Sequence, residues 1–182
     1  MRRCAARMSI AIRDVEGLIT LLVDAEMKMF EGVNAPVIFL QNVVVDLLLG
    51  LKFKDAFRIF ADHVRKRYNA EPGYITMNLP LLLRALEEQS VENPIVCANM
   101  NKIGFRMSGG WAAYAAAIDA YPCRVIAMSI YASGAIPPAE AIAWVAEQPQ
   151  IESMVFGASG RANIRNTVEL VKAADARRAI AA

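Results

Sequence analysis

Most of the features that announce a function are missing from this chain. Its three cysteines, Cys4, Cys97 and Cys123, show no paired spacing. Neither a disulfide framework nor a Cys-x-x-Cys metal site is therefore indicated, and a reduced, cytoplasmic setting is expected. No apolar run reaches the ~20 residues of a membrane span, because Gln41, Asn42 and Asp46 interrupt the longest one. The arginines near Met1 are not followed by an unbroken apolar core and a small-residue cleavage site, which argues against a secretory signal, and Asp14 and Glu16 count against a mitochondrial one. A net charge of +2 singles out no partner. Basic residues gather from Met1 to Arg13, from His63 to Arg67 and at Arg177 and Arg178, but without interleaved aromatics. They read as solvated helix faces, not as a nucleic-acid surface. No low-complexity linker divides the chain, so a single domain over residues 1–182 is expected.

What the chain has in excess is apolar residues. At 56% hydrophobic residues and a mean hydropathy of +0.31, it exceeds the ~45–50% of ordinary soluble domains. These residues fall into short runs, each followed by a helical pattern. Val37 to Leu40 reads as a strand, followed by the apolar stretch Val43 to Leu51 and a helix from Lys54 to Tyr68, whose Ala56, Phe57, Phe60, Ala61 and Val64 form one stripe. Tyr74 to Leu79 reads as a second strand before a helix from Pro80 to Gln89. Pro94 to Asn101 is a third, with a loop from Lys102 to Gly110 and an alanine-rich helix from Trp111 to Ala120. Arg124 to Tyr131 is a fourth, with a helix from Ala139 to Gln148 that carries prolines at its first turn. Asp14 to Phe30 reads as one helix, with Val15, Leu18, Ile19, Leu22, Val23 and Met27 at helical spacing, after a basic lead-in from Met1 to Ser9.

The fifth unit is the most pointed. Ile151-Glu-Ser-Met-Val-Phe is a short strand that breaks on Gly157-Ala-Ser-Gly160 and runs into an amphipathic helix opening at Arg161. That is the layout of a phosphate-binding turn. Gly157 and Gly160 would let the backbone approach an anion, Ser159 would cap the helix, the first helical N–H groups would donate, and Arg161 would add charge. A plain helix cap without a ligand has the same composition.

Repeated strand–helix units imply a parallel sheet covered by helices. A closed (β/α)8 barrel takes about 250 residues, whereas this chain has 182 and shows five strands. Either the sheet is open or the barrel is incomplete. An open edge at the Val37 strand, beside apolar surface, would invite self-association.

From Arg124 through Ala132-Ser-Gly-Ala-Ile-Pro-Pro138 to Gly157-Ala-Ser-Gly-Arg-Ala-Asn163, the chain resembles the last two units of an aldo-keto-reductase-like TIM barrel. From Phe57 onward, including Asn93-Pro-Ile-Val-Cys-Ala-Asn-Met-Asn-Lys-Ile-Gly-Phe-Arg-Met-Ser108, it is similar to the C-terminal part of uncharacterised bacterial TIM-barrel proteins. The resemblance implies a partial (β/α)8 barrel, the last five units of eight, with outer helices. It places the phosphates of an NADP-type cofactor over Ala132 to Ile136 and Gly157 to Arg161. The family's catalytic tyrosine, lysine and aspartate come from early strands that have no counterpart here. Asn163, flanked by Arg161 and Arg165, stands near the place of the family's ribose-phosphate arginine, a departure that counts against NADP.

A barrel puts its chemistry at the C-terminal ends of its strands. Those ends hold Asn78, Asn99, Asn101, Lys102, Ser129, Tyr131, Ser133 and Ser159, and no carboxylate. Neither a paired-acid mechanism nor a magnesium site is supported. Lys102, beside Ile103 and Phe105, is a candidate Schiff-base lysine if burial lowers its pKa, and class I aldolases carry such a lysine on the sixth strand, the place this one would take. The alternative is a loop lysine in solvent. Tyr131 is a candidate proton donor or a half-buried ring. The asparagines either bind ligand or close turns. His63, within a charged helix beside Asp62, Arg65 and Lys66, is expected to have a surface or ion-paired role and not a catalytic one. Two functions follow: an enzyme or binder for a small phosphorylated or carbonyl-bearing metabolite, or a catalytically silent scaffold that keeps the anion cradle.

Overall fold

Short β-branched and aromatic runs form strands here because each is flanked by a residue that ends extended structure, and the helices between them bury one stripe apiece. The computed structural model describes residues 16–181. Five strands, β1 (Val37–Leu40), β2 (Glu71–Thr76), β3 (Ile95–Asn99), β4 (Arg124–Met128) and β5 (Ile151–Met154), form one sheet. Every pairing is parallel, and the spatial order is the chain order. The helices are α1 (residues 16–27), α2 (Asn42–Gly50), α3 (Asp55–Tyr68), α4 (Leu79–Glu88), α5 (Gly110–Ala120), α6 (Pro138–Ala146) and α7 (Arg161–Ala181). The architecture is α/β, as expected. Among the described residues no helix is long and apolar enough to cross a membrane.

The register sorts the sheet into two unlike faces. Ile38, Tyr74, Val96, Val125 and Ile151 stand on one face and are all buried, as are Thr76, Ala98 and Ala127 beside them. The helices lie on this face. Tyr74 packs edge-on against Phe57 and Phe60 of α3, with ring centroids 5.9 and 5.6 Å away, and its hydroxyl donates to the Phe57 carbonyl at 2.9 Å. The other face carries Val37, Phe39, Ile75, Ile126 and Met128, which are only half buried. It is closed along the central strand, where Ile95, Cys97 and Asn99 are buried, and at Gly73 of β2 beside Ile95. Crossovers between sequential parallel strands are almost always right-handed, so a chain-ordered sheet places all its helices on one side. The two-faced burial is the consequence.

Three expectations need adjustment. The second strand begins at Glu71, three residues before Tyr74, and so contains Pro72 and Gly73. Pro72 is tolerated because β3 joins β2 only from Gly73 onward, so its absent N–H costs no ladder bond on that side. The fourth strand stops at Met128 because Ser129 is left-handed, with φ 54°. In α1, Ile19 and Val23 are buried, but Leu18 and Leu22 are 57% and 50% exposed, so the apolar stripe is covered along one edge only. Val15 and the lead-in from Met1 to Ser9 lie outside the described residues, as does Cys4. His63 is engaged by a carboxylate: its Nε2 lies 2.7 Å from Asp24 Oδ1, which also accepts from the Tyr68 hydroxyl at 2.5 Å. α1 is thereby pinned to α3.

Candidate functional site

The loops after β4 and β5 open side by side at the C-terminal end of the sheet. Past β4, Ala132, Ser133 and Gly134 are left-handed in succession, with φ of 47°, 59° and 90°. Two of these are not glycine, and such conformations cost on the order of 1 kcal/mol or more each and gather at functional sites. Local bonds hold them: Ala132 N–H donates to the Ser129 carbonyl at 2.9 Å and Gly134 N–H to the Tyr131 carbonyl at 2.8 Å. Past β5, Val155 N–H still reaches the Ala127 carbonyl at 2.8 Å. The chain then runs without regular structure to α7. Between the two loops is an open cleft of about 500 Å3, lined by Ser129, Tyr131, Ser133, Phe156 and Gly157 among others.

Four of the residues singled out by sequence, Ser129, Tyr131, Ser133 and Gly157, therefore meet in one cleft. Ser159, Gly160 and Arg161 do not line it. They lie one step further along the chain and are exposed. The helix opens after Gly160, whose carbonyl accepts from Ile164 N–H at 3.1 Å, so Gly160 and not Ser159 holds the capping position. The Ser159 hydroxyl instead accepts from the Asn163 side-chain amide at 3.0 Å. The backbone does not force glycine at either place: a Cβ on Gly157 or Gly160 would meet nothing within 4 Å, and neither has a positive φ. From Phe156 to Arg161 no backbone N–H finds an acceptor among the described residues. Tyr131 is a half-buried ring whose hydroxyl is 2.9 Å from Thr167 Oγ1, a buried group on α7. That bond fastens the β4 loop to α7.

The asparagines are turn-builders. Asn78 caps α4, accepting from Leu81 N–H at 3.3 Å. Asn99, fully buried, donates to the Arg106 carbonyl at 2.8 Å. Asn101 clasps Phe105 from both sides, donating to its carbonyl at 2.9 Å and accepting its N–H at 2.7 Å. The long loop between β3 and α5 is thus folded onto the strand end by two side chains, whose polar groups are spent inside the protein.

Lys102 corrects its expectation. It is exposed and its ammonium lies 2.7 Å from Glu140 Oε1 at the start of α6. The hydrogen bond and charge of Glu140 push its pKa up, the opposite of what an amine nucleophile at neutral pH requires. Burial acts instead on two thiols, pushing Cys97 up to about 11 and Cys123 up to about 12, which leaves both unreactive.

Two carboxylates reach these strand ends from helices. Asp46 of α2 accepts from the Thr76 hydroxyl at 2.6 Å and from Met77 N–H at 3.2 Å. Its lone charge inside the apolar stretch Val43 to Leu51 was the available signal. Glu140 is the other, engaged by Lys102. Among the described residues no group of three potential ligands is placed to hold a metal. A hollow of about 1140 Å3 lies at the opposite end of the sheet between the starts of β1 and β2, walled by Asp24, Lys28, Arg65, Arg67 and Glu71 among others. Its charges are mixed, and Asp24 is already satisfied by His63 and Tyr68. Set against known proteins, the chain matches no family model, no curated protein and no solved structure.

Proposed function

We propose that this chain carries the last five units of a (β/α)8 scaffold and binds a small phosphate-bearing molecule in the cleft between the β4 and β5 loops. The cleft itself carries the reading. It has room for a small ligand and lies at the C-terminal ends of neighbouring strands, where barrels bind substrates and where the last two loops commonly hold phosphate. Chain-ordered parallel strands with helices on a single face support the scaffold. Support for an anion comes from the donors at hand: the Ser129 and Ser133 hydroxyls at the cleft, the unengaged N–H groups from Phe156 to Arg161, and the exposed Arg161 at the start of a 21-residue helix. A Schiff-base mechanism is not carried forward, because Glu140 holds the Lys102 amine protonated. A reaction is not assigned: Tyr131 has its hydroxyl engaged by Thr167, and no other titratable side chain lines the cleft.

The test is titration of the full chain with inorganic phosphate, sulfate and a nucleoside monophosphate, followed by calorimetry or amide chemical shifts. A few charge-assisted contacts in an open site imply millimolar to high-micromolar affinity. Arg161→Ala should weaken binding about fivefold, the equivalent of on the order of 1 kcal/mol, with the fold unchanged. Gly157→Val should block it, since the new side chain would stand in space that is now open. Absence of any response up to about 10 mM ligand, a free energy near 3 kcal/mol, would reduce the turn to a helix cap.

A further inference from the structure

The floor of the cleft between the β4 and β5 loops follows from the register. Ala127 pairs with Met154, and Val155 N–H continues the ladder to the Ala127 carbonyl at 2.8 Å. One residue further on, Met128 and Val155 stand side by side and, by the two-residue period of a strand, on the half-buried face with Ile126. Both line the cleft. Val155 is 49% exposed there. Phe156 completes the wall while packing part of its ring on the core. The cleft therefore has an apolar floor that joins the open face of the sheet.

Its polar groups are few. Ser129 and Ser133 bring the side-chain hydroxyls that are left, since the Tyr131 hydroxyl is bonded to Thr167. The carbonyls of Met128, Ser129 and Tyr131 already accept from the N–H groups of Met100, Ala132 and Gly134. No carboxylate, amide or cationic side chain lines the cleft, and Asn99 and Asn101 spend their amides on the β3 loop. A phosphate would take up the two serines and the free N–H groups that follow Val155. The hydroxyls of a sugar would then find no acceptor, and a hydroxyl withdrawn from water without a partner is penalised. An apolar group in the same place would instead cover Met128, Val155 and Phe156.

We propose, resting on the phosphate-binding reading of this cleft, that its ligand is a phosphate monoester of an uncharged apolar alcohol, an aryl ester above all, and not a sugar or polyol phosphate. The phosphate is held at Ser129, Ser133 and the turn that leads to Arg161. The organic group lies on Met128 and Val155, with Phe156 beside it. Selectivity then comes from the floor: the anion donors serve every phosphate alike, and only the apolar ester gains a second contact.

Calorimetric titration of the full chain with phenyl phosphate, glycerol phosphate and inorganic phosphate tests this. Phenyl phosphate should bind about tenfold more tightly than inorganic phosphate, through partial burial of one ring. Glycerol phosphate should bind no more tightly than inorganic phosphate. Val155→Ser should cut the tenfold ratio to about twofold, whereas Val155→Leu, which keeps the floor apolar, should retain it; unchanged Val96 and Ala98 amide shifts are the control for folding. Equal affinity for phenyl and inorganic phosphate would overturn the proposal and leave phosphate binding standing. So would a preference for glycerol phosphate, or a ratio indifferent to Val155→Ser. Phenol bound as tightly as phenyl phosphate would also overturn it, because the anion would then play no part. No binding of any of the three phosphates up to about 10 mM would remove the phosphate reading and the ester together.

Discussion

The side chain missing from Gly73 is replaced by a neighbour's ring. A Cβ there would come within 2.5 Å of Phe39 Cδ1 and Cε1, so Phe39 lies across β2 where a larger residue would hold it off. Gly73→Ala should cost about 1–2 kcal/mol in urea unfolding. Pairing it with Phe39→Leu should recover part of that loss, a coupling that a double-mutant cycle reads directly. The same economy of small contacts explains the asparagines. Asn101 stands two residues beyond β3 and folds back its own loop, so its amide works as a structural bracket although its place past a strand end is that of a binding residue.

At the scale of elements, the weakest attachment is that of α1. It contributes Ile19 and Val23 to the core and depends otherwise on Asp24, which takes hydrogen bonds from Tyr68 and His63 of α3. Those bonds, the Tyr68 one foremost, hold the Asp24 carboxyl below its ordinary 3.8. A carboxyl depressed on folding stabilises the folded state above its unfolded pKa, and that contribution is lost as pH falls through the folded value. α1 should therefore loosen selectively below about pH 4, seen as faster amide exchange in residues 19–24 than in α3. Asp24→Asn should bring that loosening to neutral pH and remove its pH dependence in this window. An α1 that exchanges together with α3 at every pH would show that Ile19 and Val23 hold it unaided. α2 makes the contrasting case: Val45 and Leu49 are buried, Asp46 ties it to the end of β2, and Val43, Leu47 and Leu51 face outward.

For the whole molecule, the unequal faces of the sheet set the order in which it should open. β3 is buried on both sides and paired on both edges, whereas β1 and β5 each lack a neighbour strand among the described residues. Native-state exchange should follow that gradient, with Val96 and Ala98 opening only in global unfolding and Ser153 of β5 opening in local fluctuations. Equal protection across all five strands would mean that the half-buried face is covered. Arg124 adds a cross-link at the N-terminal rim, reaching Glu71 and Glu152 at 3.1 Å each, but all three are exposed and the pairs contribute little.

Element type and order were legible along the chain. Short apolar runs and the 3.6-residue period are both visible in short segments, so β1 and the α3 stripe from Ala56 to Val64 fall where the pattern places them. Where tertiary contacts override local preference the pattern fails. β2 takes in Pro72 and Gly73 because β1 pairs with them and Phe39 fills the space above. Leu18 and Leu22 belong to a good helical stripe that finds nothing described to bury it. The site divides the same way. Gly157, Ser133 and Tyr131 could be picked out as strand-end residues, because topology sends every strand's C-terminal end to one side. Only the folded chain shows that Asn99 and Asn101 spend their hydrogen bonds inward, that Glu140 pairs with the Lys102 ammonium from 38 residues away and that Asp46 reaches Thr76. A side chain's chemistry is set by the partner it meets, and those partners are distant in sequence.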